Sequence, residues 1–219
     1  MSYCYSYPHP ALTVDAILLT YTVNELDVLF VQRAVEPYKN QWAFPGGFVN
    51  ENETVEDAVI REIKEETSLS VKGLQQFYTA SAPGRDPRGW TVSVVFIGFI
   101  NWDSAVAKAG DDAANAEWFP LLQTPSLAFD HGEILSKAKL FLKKLVMQSV
   151  INKELLPTVF PLEQLNAVYF QITGSREESE LLIQQLIDKS IIIPETYKDL
   201  YTFNDYAYNK VLNSGFFSV

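Results

Sequence analysis

Gly47-Phe48-Val49-Asn50-Glu51-Asn52-Glu53-Thr54-Val55-Glu56-Asp57-Ala58-Val59-Ile60-Arg61-Glu62-Ile63-Lys64-Glu65-Glu66-Thr67-Ser68-Leu69 is the stretch from which the rest of the chain can be interpreted. Within it Val55, Val59 and Ile63 recur every four residues, the spacing of one helix face, and Thr54 with Asp57 forms a capping box at the start. A helix over Thr54 to Thr67 is predicted. On that helix Glu62, Glu65 and Glu66 stand at i, i+3 and i+4, so they project within an arc of roughly 100°. Like charges at this spacing repel, and the cost disappears if the face binds a divalent cation through oxygen, the donor that Mg²⁺ prefers. An acidic, solvated helix face is the plainer alternative for a bare E-x-x-E-E. The neighbouring Gly46-Gly47 backbone and Arg61 favour the metal site, with Arg61 orienting the glutamates through ion pairs.

Outward from the helix, Leu12 to Tyr21 and Leu26 to Arg33 are rich in β-branched, aromatic and aliphatic residues and flank a polar break at Asn24-Glu25, which predicts a strand pair. Further strands are expected at Leu74 to Ala80, Trp90 to Ile100 and Glu117 to Phe119, and a helix with a basic end from Glu133 to about Gln148. Near residue 150 the pattern changes. Apolar helical spacing from Leu162 to Ile172, then Gly174, a second helical stretch from Arg176 to Lys189 and two apolar runs around Pro194 outline a winged-helix-like unit. The expected division is therefore 1–150 and 151–219.

Composition narrows the function. The chain has 219 residues, is 47% hydrophobic and carries a net charge of -10. It is long enough to bury a core, and its charge disfavours non-specific binding to nucleic acid or anionic lipid. No apolar run is long enough to span a bilayer, and Met1 to Pro10 lacks the pattern of a signal peptide, so a cytoplasmic location is expected. Cys4, the single cysteine, cannot form an internal disulfide and has no assigned role.

Gly47, Glu53 and Arg61-Glu62-Ile63-Lys64-Glu65-Glu66 together resemble the Nudix box, with one departure, Ser68 where the family carries glycine. Serine at a helix-ending residue of positive φ costs about 1 kcal/mol of strain and removes no ligand. The resemblance extends over most of residues 12 to 145, including Trp42-Ala43-Phe44-Pro45-Gly46-Gly47-Phe48. It implies an α/β (α+β) fold, a Nudix α/β/α sandwich with a mixed sheet, followed here by the small winged-helix-like domain. It also implies a Mg²⁺-dependent hydrolase, with Mn²⁺ as an alternative ion. The metal would be held by Gly46, Glu62, Glu65 and Glu66, with Arg61 completing the catalytic group. For the general base Glu66, Asp111, Asp112 and Glu117 all remain open.

Pro83-Gly84-Arg85-Asp86-Pro87-Arg88-Gly89-Trp90 resembles the loop of ADP-ribose-directed members, and Leu127-Ala128-Phe129-Asp130-His131 a segment of the same subgroup. The expected substrate set is Arg33, Trp42, Arg85, Asp86, Arg88, Trp90 and His131. The arginines would form charge-assisted bonds to phosphate and a tryptophan would stack on the base. A Pro/Gly turn with exposed arginines, a surface role for Arg33 and a helix-start role for His131 are the alternatives. The implied reaction is cleavage of a nucleoside diphosphate compound, ADP-ribose to AMP and ribose 5-phosphate. The two-domain layout also resembles the Nudix-related transcriptional regulators of NAD metabolism, so an ADP-ribose-sensing regulator is the competing function. From residue 151 onward, however, five Lys/Arg face nine Asp/Glu, a net charge of -4, where a DNA reader should be basic. DNA is not an expected partner and neither is a membrane; a homodimer is expected.

Overall fold

A computed structural model of the chain describes residues 6–22, 25–105, 113–196 and 199–214. Strands β1 (Ala11–Thr22) and β2 (Glu25–Arg33) pair antiparallel, with Leu19 opposite Val28. The short strands β3 (Trp42–Ala43) and β4 (Gly46–Phe48) follow, then helix α1 (Val55–Thr67), β5 (Gln75–Ala80), β6 (Thr91–Phe99), β7 (Ala113–Pro120) and helix α2 (His131–Gln148). The main sheet runs β3-β2-β1-β6-β5, with β4 added on β1 and β7 on β2. β1 and β6 are parallel while the other pairs are antiparallel, so the sheet is mixed, as expected.

Strand parity explains the layering. Successive side chains of a strand point to opposite faces. Val14, Ala16 and Leu18 of β1 pack with Ala58, Val59 and Ile63 of α1 in one apolar cluster. Ile17, Leu19 and Tyr21 pack with Ile134, Leu135, Ala138 and Leu142 of α2 in the other. The sheet is thus covered by a helix on each face.

Helix α1 begins as its sequence requires: the Thr54 side chain accepts from the Asp57 N–H. It ends at Ser68 in the left-handed region, with φ 61° and ψ 8° and its N–H donating to the Lys64 carbonyl at 3.0 Å. A serine there carries strain that glycine does not. Ser68→Gly is expected to stabilise the protein by about 0.5–1 kcal/mol, the strain relief being partly offset by a freer unfolded chain, as read from urea denaturation. Equal or lower stability in the variant would show that the strain does not exceed the entropy that serine removes from the unfolded chain.

After α2, β8 (Val159–Pro161), α3 (Leu162–Thr173), α4 (Arg176–Asp188), β9 (Ile192–Pro194), β10 (Leu200–Phe203) and α5 (Asp205–Ser214) follow. Gly174 closes α3 with φ 73°. The wing is a three-stranded sheet, β8-β10-β9, where two strands were expected, because Val159 and Phe160 add the third edge. Helix α5 was not anticipated. The last turn of α2 holds no basic residue, contrary to expectation. Its Lys143 instead donates to the Thr173 carbonyl at 2.9 Å and pairs with Glu178 at 2.8 Å. Residue 150 lies just beyond α2, and the apolar cluster beneath α2 continues through Val150, Ile151, Leu155, Tyr169 and Leu186. No helix among the described residues is long and apolar enough to cross a membrane.

Candidate active site

Helix α1 lies against the sheet through Ala58, Val59 and Ile63, which turns Glu62 and Glu66 toward the β4 backbone. The Gly46 N–H donates to Glu66 Oε2 at 2.9 Å. A Cβ at Gly47 would collide with the Glu62 carboxylate, so only a bare Cα leaves that side chain its place. Arg61 gathers the remaining acids: its guanidinium donates to Glu53 at 2.7 and 3.1 Å, Glu62 at 2.8 Å, Glu65 at 3.1 Å and the Phe48 carbonyl at 3.0 Å. These bonds hold Glu53 at a pKa of about 2 and raise that of Arg61. Burial acts the other way on the glutamates facing the sheet. It raises Glu62, and it raises Glu66 to about 8, with the nearby Glu62 and Asp15 adding to the effect.

Of these, Gly46, Gly47, Phe48, Glu62 and Glu66 line a cleft of about 540 Å³, whereas Glu53, Arg61 and Glu65 are not in its lining. Glu62, Glu66, Gly46 and Gly47 share it with Asp15, Arg33, Phe48, Arg85, Asp86, Arg88, Phe129 and His131. Arg88 is the more available of the two loop arginines. Its side chain is 40% exposed, pairs with Asp86 at 2.7 Å and lies over the rings of Phe48 and Phe129 at 5.0 and 5.5 Å. Arg33 lies over the Phe129 ring at 4.9 Å and donates to the Pro37 carbonyl at 2.7 Å. Arg85 is different: its side chain is only 5% exposed and is clamped by both Asp130 oxygens at 2.8 and 2.9 Å. Asp130 stands at the N-cap of α2 but makes no capping bond, its carboxylate being given to Arg85.

The two tryptophans of the expected set lie outside the cleft lining. Trp42 packs edge-on against Phe119 at 4.8 Å, and Trp90 is 55% exposed just before β6. Phe48 and Phe129 supply the aromatic surface instead. Glu65 is not among the lining residues either, its side chain being 54% exposed. Glu117 is exposed on β7, while Asp111 and Asp112 lie outside the described residues. Asp15 is absent from the expected set, although it is the one charged residue in the run Leu12 to Tyr21, a usable signal. Its side chain is 11% exposed, accepts from Ser93 Oγ at 2.5 Å and lies 3.5 Å from His131 Nε2.

Among the described residues no three acids, histidines or cysteines converge as a ready metal-ligand set. The reason is visible in the bonds above: Arg61 draws Glu62 and Glu65 to itself, while Gly46 holds Glu66. The donor chemistry nevertheless fits a hard divalent ion. Two carboxylates whose ionised forms are disfavoured by burial face one cleft, and a cation is what would stabilise those forms.

Several known proteins are similar to this chain. An ADP-ribose pyrophosphatase from Methanocaldococcus jannaschii is 48% identical over 131 residues, covering 59% of this chain and 73% of that protein. The ADPR responsive transcriptional repressor NtrR from Acinetobacter baylyi is 30% identical over 190 residues, covering 85% of this chain and 76% of that protein. The crystal structure of Shewanella oneidensis NrtR complexed with a 27mer DNA superposes with a TM-score of 0.73 at 28% identity, covering 90% of this chain and 95% of that one. The NUDIX domain family model matches residues 9–138, and with the box helix, mixed sheet and acidic cleft in place the chain belongs to the Nudix family, as a pyrophosphohydrolase.

Proposed function

We propose that the cleft binds ADP-ribose and, with Mg²⁺, hydrolyses its pyrophosphate to AMP and ribose 5-phosphate. The observation that carries this reading is the joining, in one cleft, of the partly buried carboxylates Glu62 and Glu66 with the cation and ring group Arg33, Arg88, Phe48 and Phe129. Glu62, Glu65, Glu66 and Gly46 would hold the ion, with Arg61 keeping the glutamates in register. Mg²⁺ held there would screen the charge of the diphosphate and supply a nucleophilic water near neutral pH. Arg33 and Arg88 bind the phosphates, and Phe48 and Phe129 offer a stacking surface to the base. One P–O bond forms from water and one bridging P–O bond breaks, releasing two phosphomonoesters. The homology to an ADP-ribose pyrophosphatase at 48% identity supports the choice of substrate.

The test is turnover by the purified protein with Mg²⁺ and a panel of ADP-ribose, NADH, diadenosine polyphosphates and nucleoside triphosphates. AMP and ribose 5-phosphate from ADP-ribose are expected as the fastest products. Triphosphates or diadenosine compounds turned over much faster would remove the assignment. Homodimerisation and a cytoplasmic location belong to the same reading, the former checked by sedimentation.

An ADP-ribose-responsive regulator is the second reading, favoured by the similarity to a repressor over 85% of the chain. Charge opposes it. The unit from residue 151 has a net charge of -4, and Arg176 of α4 is paired with Glu180 at 3.0 Å. Electrostatics supplies essentially all non-specific DNA affinity. An anisotropy titration at physiological salt is expected to show no saturable binding to duplex DNA below micromolar protein. Tight, sequence-dependent binding that ADP-ribose reverses would establish the regulator instead.

A further inference from the structure

Three successive residues between β3 and α1 are each fixed by one hydrogen bond to a different element. The Phe44 N–H donates to His131 Nδ1 at the start of α2, at 3.0 Å. The Pro45 carbonyl accepts from the Ala16 N–H of β1 at 2.8 Å. The Gly46 N–H donates to Glu66 Oε2 of α1 at 2.9 Å. Gly46 has no lateral room, since even a Cβ there would meet the Val14 carbonyl and the Asp15 backbone. Gly46 is also paired with Asp15 of β1, and only Pro45 separates it from Phe44.

His131 is suited to hold the first of these points and not to touch a substrate. The residue is 4% exposed and its ring stacks on Phe44 with centroids 4.9 Å apart. Because Nδ1 accepts a hydrogen bond, it carries no proton, and in the neutral ring the proton sits on Nε2, facing Asp15 Oδ1 at 3.5 Å. Asp15 is itself fixed by Ser93 and lies 3.8 Å from Arg85. Both ring nitrogens thus have protein partners, and a locked ring is what makes an acceptor rigid.

We infer that His131 is a positioning residue that sets the place of the Glu66 carboxylate through the Phe44–Gly46 backbone, and is not a substrate contact. The inference rests on the proposed role of Glu66 only where it concerns turnover. Asn and Phe at position 131 separate the parts of the imidazole. Asn Oδ1 lies as many bonds from Cβ as His Nδ1 and keeps an acceptor, whereas Phe keeps a stacking ring without one.

Amide hydrogen exchange by NMR on the full, metal-free chain reads the backbone directly. In His131→Phe the Gly46 amide is expected to exchange at least about tenfold faster than in the wild type, with Ile97 of β6 unchanged, and in His131→Asn to return to within about threefold. In the ADP-ribose assay kcat should fall at least about tenfold in His131→Phe with KM within about twofold, recover in His131→Asn, and show no further loss when His131→Phe is added to Glu66→Gln. His131→Ala carries the same test should Phe not fold. Unchanged exchange at Gly46, faster exchange at Ile97 as well, or a loss in KM alone overturns the inference. Faster exchange confined to this segment in a protein that never hydrolyses ADP-ribose leaves the positioning role standing and removes the proposed substrate.

Discussion

Glu66→Gln is expected to lower kcat for ADP-ribose by two to four orders of magnitude, about 3–5 kcal/mol in barrier, while the protein stays folded. The amide keeps the shape and still accepts from Gly46, whose N–H lies 2.9 Å from the present oxygen. It loses the negative charge that a Mg²⁺ ligand or a general base requires. Wild-type turnover in this variant would remove metal ligation and base catalysis from the residue together.

The same substitution has an opposite effect on stability, and pH reveals it. Burial raises the folded-state pKa of Glu66 from 4.5 to about 8. Below about pH 4.5 folded and unfolded chains are both protonated and the group costs nothing. As pH rises toward 8 the unfolded chain gives up its proton while the folded one retains it, so stability is lost through that window. Gln does not titrate. Metal-free Glu66→Gln should therefore match the wild type near pH 4 and exceed it at pH 8 and above, the gap widening by about 1.4 kcal/mol for each pH unit climbed inside the window. Saturating Mg²⁺ should reverse the order by stabilising only the protein that binds it. Calorimetry in EDTA and in Mg²⁺ across this range checks both signs, and a difference independent of pH would show that Glu66 is not held in its neutral form.

How much of this was legible in the sequence depended on whether a feature is local. Helix α1 was, because Val55, Val59 and Ile63 give the period, Thr54 the cap, and Ser68 the place where the helix turns left-handed. Strands β1 and β2 were also legible, since their apolar residues are contiguous. Strand β8 has three residues, too few to carry a period, and exists because β10 supplies its partner. The cleft was half legible. Glu62 and Glu66 share a helix face by spacing alone, but the aromatic side depends on which way a ring points after the chain has turned. Trp42 pairs with Gln32 and packs on Phe119. Phe129, with φ 54°, takes the place beside the arginines that the sequence offered to tryptophan.

Arg85 and Arg88 show the same limit most sharply, and their substitution should separate them. Three residues apart in one loop, they resemble two equivalent phosphate ligands, yet their side chains are 5% and 40% exposed. Arg85 neutralises Asp130 through two bonds and lies 3.8 Å from Asp15. Removing the guanidinium leaves two largely buried carboxylates without it, a change that typically costs about 3–5 kcal/mol. Arg85→Met is thus expected to lower Tm by roughly 10 °C. Arg85→Lys should recover only part of that, since an ammonium cannot reproduce the forked pair with Asp130. Adding Asp130→Asn to Arg85→Met should restore stability by removing one orphaned charge, a coupling that a double-mutant cycle measures. Arg88→Ala should do the reverse, changing stability by less than about 1 kcal/mol and raising KM for ADP-ribose about tenfold or more through the lost phosphate contact. A stable Arg85→Met protein with a raised KM would assign the phosphate to Arg85 and return the loop to the role its sequence first suggested.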